Sequence, residues 1–182
     1  MEQKLEGTTL AHVALVKSTR NVDLLMLPNM VRKTMTLCMV HKHPQILLGM
    51  KKRGFGEGRW NGFGGKVEKG ESIEEAAKRE IHEEVGITPT HMEEAGFIEF
   101  HFPETEEIME VHIFRVKEFV GEPRESEEMA PKWFHFDEIP FSEMWKDDMF
   151  WYPFFLQGKK FKGKVSFTKD HEIIEQFFEE VK

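Results

Sequence analysis

Residues Gly65 to Ile87 read GKVEKGESIEEAAKREIHEEVGI. The acids in this stretch carry most of its meaning. If Ser72 to Val85 is helical, Glu80, Glu83 and Glu84 stand at i, i+3 and i+4 and share one face. Three carboxylates this close repel one another unless a positive charge sits among them. Hard divalent cations such as Mg²⁺ take oxygen ligands and commonly bind substrate phosphates as well. The spacing therefore describes a metal platform for phosphate chemistry.

The opposite face of the same helix explains how such a platform is held. Ile73, Ala76, Ala77 and Ile81 form an apolar stripe at helical spacing, suited to packing on a sheet. Ser72 is the expected N-cap, with Glu74 and Glu75 in the first turn, where the helix dipole favours anions. Gly86 falls just past the end, where a left-handed residue is cheapest as glycine. Arg79 can reach Glu83 one turn on, so it is expected to orient an acid rather than touch substrate. A Glu-rich helix is by default a solvated amphipathic face. Here the acids come with a fixed pattern of glycine, arginine and apolar positions, which a merely solvated face does not need.

The rest of the chain sets bounds. Its 182 residues suit one domain with a real core. A net charge of −8 argues against a general nucleic-acid surface, so an anionic substrate must be held by metal and a few local cations. The single cysteine, Cys38, excludes an intramolecular disulfide and lies in an apolar run. The apolar runs are too short to span a bilayer as a helix. Residues 1–33 mix apolar and polar types without a period and read as a weakly ordered extension. They have neither the charged start and apolar core of a secretory signal nor the acid-poor composition of a presequence. Met30 and Met35 are candidate internal starts, and residues 34–182 read as the folded domain.

From Thr34 the pattern tightens. Thr34–Val40 and Gln45–Met50 read as a hairpin turning at His41–Pro44, and the two histidines there fit a polar turn better than a metal site. Gly54–Gly65 is a glycine-rich loop carrying Trp60, Asn61 and Phe63, whose glycines let backbone approach a ligand. Strands are expected near Glu94–Phe102 and Glu107–Lys117, then a loop through Gly121–Ala130 and a strand at Lys132–Phe136. Asp147–Gln157 reads as a helix that Pro153 kinks or ends, and Lys162–Thr168 as a strand. His171–Val181 is open: Ile173, Ile174, Phe177, Phe178 and Val181 fit helical spacing, but a second strand is also possible. The layout is an α/β (α+β) fold with a mixed sheet flanked by helices.

The glycine, Glu71, Arg79-Glu80-Ile81, Glu83-Glu84 and Gly86-Ile87 resemble the Nudix box, G-x5-E-x7-R-E-U-x-E-E-x-G-U with U apolar, and every specified position is filled. The resemblance implies an αβα sandwich and a hydrolase of nucleoside diphosphate derivatives using Mg²⁺, with Mn²⁺ as the alternative. Two further runs, LLGMKKRGFGEGRWNGFGGKVEKGE (residues 47–71) and IPFSEMWKDDMFWYP (residues 139–153), resemble the branch of that family that hydrolyses oxidised purine nucleoside triphosphates.

That likeness assigns roles residue by residue. Metal is expected at the Gly64 carbonyl, Glu80, Glu83 and Glu84, with Glu128 contributing from a later loop. Glu84, Glu83, Glu80 and Arg79 form the catalytic set, and Glu84 is the acid expected to matter most, as a ligand or by activating the attacking water. Lys51 and Lys66 are expected on the triphosphate, beside Phe63 and Gly65 of the glycine loop. The base pocket is expected from Thr36, Phe55, Asn61, Phe100, Phe102, Met109, Trp145, Asp147, Asp148 and Trp151. Taken singly these aromatics read as core and the two aspartates as a helix cap; together they read as a purine site.

The aspartate pair suggests how damaged bases are told apart. Oxidation at C8 of guanine turns N7 from an acceptor into an N–H donor, which a carboxylate can accept. Two acids in an apolar pocket do not readily both ionise, so one is expected to hold a proton. If that proton can sit on either acid, the pocket reads both 8-oxoguanine and 2-hydroxyadenine. Methylated purine nucleotides are further substrates by the same resemblance. The alternatives are a Nudix hydrolase of another nucleoside diphosphate derivative and a non-catalytic nucleotide sensor. The partner expected is a small-molecule nucleotide, with neither nucleic acid nor membrane. The protein is expected to act as a monomer in the cytoplasm, with the mitochondrial or nuclear nucleotide pool as further settings.

Overall fold

The acidic helix begins and ends for local chemical reasons. The computed structural model describes residues 30–182. Helix α1 spans Ile73–Val85. The Ser72 hydroxyl accepts from the Glu75 N–H at 3.2 Å, and the Glu75 carboxylate accepts from the Ser72 N–H at 2.7 Å, a complete capping box. Such a cap contributes about 1 kcal/mol. Gly86 closes the helix in the left-handed region, at φ 78°. Ala76, Ala77, Ile81 and Val85 are buried, so the expected stripe faces the sheet.

Strand β1 covers Val31–Lys42, β2 Gln45–Lys51 and β3 Trp60–Asn61; β4 covers Thr88–Phe102, β5 Glu107–Val120 and β6 Met129–His135. Helix α2 spans Asp148–Leu156, followed by β7 at Lys160–Phe167 and β8 at Ile173–Val181. The described strands form one eight-stranded mixed sheet in the order β3-β2-β1-β5-β4-β7-β8, with β6 beside β2. The β1–β5 and β4–β7 pairs are parallel and the others antiparallel. Strand β1 starts at Val31, three positions before the expected domain start at Thr34. The remaining extension, residues 1–29, lies outside the described residues.

Alternation along the strands builds two cores. Met39, Ile46, Leu48, Ile98 and Ile113 pack with Trp151, Tyr152 and Phe155 of α2. Cys38, Val40, Leu47, Phe114 and Val116 pack with Ala77, Ile81 and Val85 of α1. Neighbouring residues of one strand thus serve opposite faces, and the two helices cover the sheet as an αβα sandwich.

Two alternatives that the sequence leaves open are decided by the structure. Residues 173–181 are a strand, not a helix, pairing antiparallel with β7 from Lys160–Val181 to Phe167–Ile173. Phe178 lies over Gly163, where an added Cβ would meet its ring at 2.3 Å, while Ile174 and Phe177 are exposed. Residues at helical spacing are therefore shared between the two faces of an edge strand, and sheet pairing overrides the local period. Pro153 sits inside α2 rather than ending it. The carbonyl that loses its partner belongs to Met149, which is exposed and can use water instead.

Candidate functional site

The site opens where β1 and β2 part. They pair only over Val40–Lys42 and Gln45–Leu47. Further along, β2 turns to β3 through Gly49 and Met50, while β1 meets the glycine loop through single bridges, Cys38–Phe63 and Met35–Lys66. A cavity of about 760 Å³ lies in this split, a size suited to a nucleotide-sized ligand. Residues from both faces of the sheet line it.

At one end stand the acids. Glu84 is 4% exposed; its Oε2 accepts from the Gly64 N–H at 2.9 Å and its Oε1 from Lys51 Nζ at 3.1 Å. Glu80 accepts from Arg79 at 2.8 Å. It lies so close to the glycine loop that a Cβ on Gly65 would stand 2.5 Å from its carboxylate. Glu128, from the loop before β6, accepts from Lys51 at 3.1 Å and from Arg53 at 3.2 Å. Arg79 binds Glu71 at 2.7 Å and the Lys66 carbonyl at 3.1 Å, so it ties helix to loop. Its contact with Glu83 is the longest of its set, at 3.5 Å.

The charges here are unequally screened. Burial pushes the Glu84 carboxyl up, against the pull of Lys51 and the Gly64 N–H. Burial opposes the Lys51 charge, but Glu84 and Glu128 outweigh it and hold the ammonium above its ordinary value. Glu128, more exposed, is held low chiefly by its hydrogen bond from Lys51. In the Lys51–Glu84 pair, attraction wins at the lysine end and desolvation at the glutamate end. Among the described residues no three Asp, Glu, His or Cys side chains converge as they stand. Glu80, Glu84 and Glu128 nevertheless line one cavity and offer oxygen only, the donor chemistry that hard divalent cations take.

At the other end is an aromatic box with a buried acid pair. Asp147 and Asp148 are each 3% exposed. Asp148 accepts from the Trp145 N–H at 3.1 Å, and Asp147 makes no cap bond to α2. Burial raises Asp147 to about 6. Asp148 is raised well above the carboxylate range by burial and by its neighbour Asp147. The Trp151 indole N–H lies near both and favours their ionised forms, without closing a bond of ordinary geometry. The pair therefore retains a proton at pH values where exposed aspartates have none.

The box walls are ordered by ring contacts. Phe55 stacks on Trp145 at 4.9 Å, and Phe102 on Phe167 at 5.7 Å. The Arg59 guanidinium lies 4.4 Å from the Trp145 ring. His171 meets Trp145, Phe55 and Phe102 edge-on at 5.2, 5.6 and 6.3 Å. Its backbone sits at φ 60° and its buried Nδ1 has no partner among the described residues.

Thr36, Phe55, Asn61, Phe100, Phe102, Met109, Trp145, Asp147, Asp148 and Trp151 all line the cavity, as do Lys51, Gly64, Gly65, Lys66, Glu80, Glu84 and Glu128. Thr36 is buried, and its N–H donates to the Gly65 carbonyl at 2.8 Å. Asn61 Oδ1 accepts from the Gly62 N–H at 2.8 Å, which orients its amide. Three expected residues stand apart. Phe63 is fully buried in the core beneath α1, because its bridge to Cys38 turns it away from the cavity. The Glu83 side chain is 60% exposed and off the cavity wall, although it shares a helix face with Glu80 and lies 3.5 Å from Arg79. Arg79 acts from outside that wall through Glu80 and the Lys66 carbonyl. The sequence reading missed Lys33, Met35, Ile98 and Phe167 on the wall and His171 behind it. For Phe167 the available signal was alternation in the strand that ends there.

Comparison with known proteins fits this geometry. The model of the NUDIX domain matches residues 30–157. The chain is 52% identical to an oxidized purine nucleoside triphosphate hydrolase of Danio rerio over 149 residues, 82% of this chain and 96% of that protein. It is 50% identical to the Mus musculus protein of the same name, over 80% of this chain and 94% of that one. The crystal structure of a MutT protein from Bacillus halodurans superposes with a TM-score of 0.73 at 32% identity, covering 81% of this chain and 97% of that one.

Proposed function

This chain belongs to the Nudix family, and on that premise we propose that it is a pyrophosphohydrolase of oxidised purine nucleoside triphosphates. Its substrates would be 8-oxo-dGTP, 2-hydroxy-dATP and related damaged or methylated purine nucleotides, released as monophosphate and pyrophosphate. The consequence would be a nucleotide pool cleared of mutagenic precursors. One observation carries the reading: a single cavity joins a wall of glutamates to a buried, proton-retaining aspartate pair.

The glutamate wall supports Mg²⁺ as the cofactor, with Mn²⁺ as the alternative, held by Glu80, Glu84 and Glu128 together with the Gly64 carbonyl, and with Glu83 as a further ligand from the same helix face. Bound there, the cation would neutralise charge on the phosphates and make a water more acidic. The remaining roles fall to the chain itself. Lys66 and Lys51 would hold the triphosphate. Arg79 keeps Glu80 and the Lys66 backbone in register. Phe100, Phe102, Met109 and Trp151 would enclose the purine and exclude water. The ionised acid of the Asp147–Asp148 pair would accept a hydrogen bond from the N7–H that 8-oxoguanine carries and guanine lacks. The protonated acid would donate to a ring acceptor.

The catalytic domain is read as starting with β1 at Val31, three positions before Thr34, and the residues before it as an extension to it. No helix among the described residues is long and apolar enough to cross a membrane. Action as a cytoplasmic monomer, without nucleic acid or membrane partner, belongs to the same proposal.

The deciding experiment is hydrolysis of 8-oxo-dGTP against dGTP with Mg²⁺, with products identified and Glu84→Gln as control. A strong preference for the oxidised nucleotide, with pyrophosphate released and activity lost in the variant, supports both ends of the site. Hydrolysis without preference discards the base pocket reading and keeps the phosphate chemistry. No hydrolysis of either removes the proposal.

A further inference from the structure

Lys51 stands between carboxylates from two distant segments. Its Nζ donates to Glu84 Oε1 and to Glu128 Oε2, both at 3.1 Å, and its side chain is 19% exposed. The other oxygens of the two acids are also engaged, by the Gly64 N–H at 2.9 Å and by Arg53 at 3.2 Å. One ammonium thus bridges helix α1 and the loop before β6. An ammonium and a divalent cation are bound by the same kind of oxygen donor, and two positive ions crowded onto the same carboxylates repel each other.

Arg79, which holds Glu80 from outside the cavity wall, is less free to leave, and Arg53 reaches only the far oxygen of Glu128. Arg79 bonds Glu80 but also Glu71 and the Lys66 carbonyl, at 2.7 and 3.1 Å, and its planar head is fixed by all three. Lys51 has only the two carboxylates, on a flexible four-carbon stem, and it already lines the cavity.

We infer that Lys51 is an internal placeholder for the metal. In the metal-free protein it holds Glu84 and Glu128 together; when a divalent cation takes those oxygens, Lys51 is displaced into the cavity, where the nucleotide phosphates give its charge a new partner. This rests on the reading of the glutamate wall as a divalent-cation site. It gives Lys51 two exclusive positions and couples metal uptake to phosphate binding. Without nucleotide, the cation must evict an ammonium that gains nothing by leaving. With nucleotide, the evicted ammonium is neutralised again, so the two ligands favour each other.

The test is Mn²⁺ binding by the full-length protein without nucleotide, read by the electron paramagnetic resonance of free Mn²⁺. Lys51→Met and Lys51→Arg are compared with wild type. Removing the competing charge is expected to tighten Mn²⁺ binding on the order of tenfold in Lys51→Met, a modest part of the bare repulsion. Lys51→Arg, which keeps the charge, is expected to stay near wild type. Thermal unfolding gives a second readout. In chelator, Lys51→Met melts below wild type because Glu84 and Glu128 lose their partner, and added Mn²⁺ raises its Tm by more. Equal or weaker Mn²⁺ binding by Lys51→Met, with wild type binding normally, overturns the placeholder and leaves the metal site standing. Failure of all three proteins to take up Mn²⁺ overturns both.

Discussion

Gly64 passes Thr36 with no room for a side chain: a Cβ on Gly64 would stand 2.0 Å from the Thr36 carbonyl oxygen. The obstacle is backbone, so it cannot swing aside. The same glycine donates its N–H to Glu84. Gly64→Ala is therefore expected to lose about 1–3 kcal/mol through overpacking and to pull the donor away from Glu84. Urea unfolding and turnover should fall together; unchanged values of both would mean the loop has slack that its geometry does not show.

The buried acid pair makes a pH prediction with a definite sign. Burial raises Asp147 to about 6, above its ordinary value of 3.8. The fold then holds a proton more tightly than the unfolded chain. The resulting stability is full below the ordinary carboxylate range and is lost as pH rises through about 6. Asp147→Asn removes its share of that loss, so its Tm should fall less than that of wild type between about pH 4 and pH 7. A parallel fall in both proteins would count against it.

The same pair should govern base choice unequally. Asp147→Asn and Asp148→Asn each freeze one side of the proton distribution. Their effects on 8-oxo-dGTP and 2-hydroxy-dATP should therefore differ in ratio. Equal proportional losses on both nucleotides would leave the shared-proton reading without support.

Arg79 reaches the site only through other groups. Arg79→Ala releases Glu80, Glu71 and the Lys66 carbonyl at once. Losses from such supporting residues run about 10–100-fold in activity or metal affinity. A single ammonium lacks the planar fork that reaches three partners, so Arg79→Lys should recover little. Recovery of full turnover by lysine would show that charge alone suffices.

His171 packs against the aromatic rings at one end of the cavity. Its ring meets Phe55, Trp145 and Phe102, contacts worth about 1 kcal/mol each beyond area. His171→Ala should raise KM for the preferred nucleotide roughly fivefold, the equivalent of one such contact, and leave kcat nearly unchanged. An effect confined to kcat would contradict this role.

Much of the acidic half was readable because its signals are local. Ser72, Glu75 and Gly86 mark the ends of α1, and the spacing of Glu80 and Glu84 places both on one side. What the spacing could not tell was that the Glu83 side chain, inside the same motif, stays 60% exposed beside Arg79. The base half was less legible. Phe167 and Met35 reach the cavity because β7 and β1 lie on either side of the β4–β5 pair, a relation between distant segments. Phe63 misled for the same reason, since its direction depends on one bridge to Cys38. Residues 173–181 carry a helical period, yet the free edge of β7 recruits them as a strand.

The two cores on opposite faces of the sheet have a consequence for how such a molecule can change. Trp151, Tyr152 and Phe155 draw their support from one side, and Ala77, Ile81 and Val85 from the other. A library that varies positions 100, 102, 145 and 167 perturbs the lobe that would choose the base and spares the packing under the hydrolytic helix. Selectivity can drift while the chemical step is inherited intact, which makes the fold a modular starting point for new nucleotide preferences.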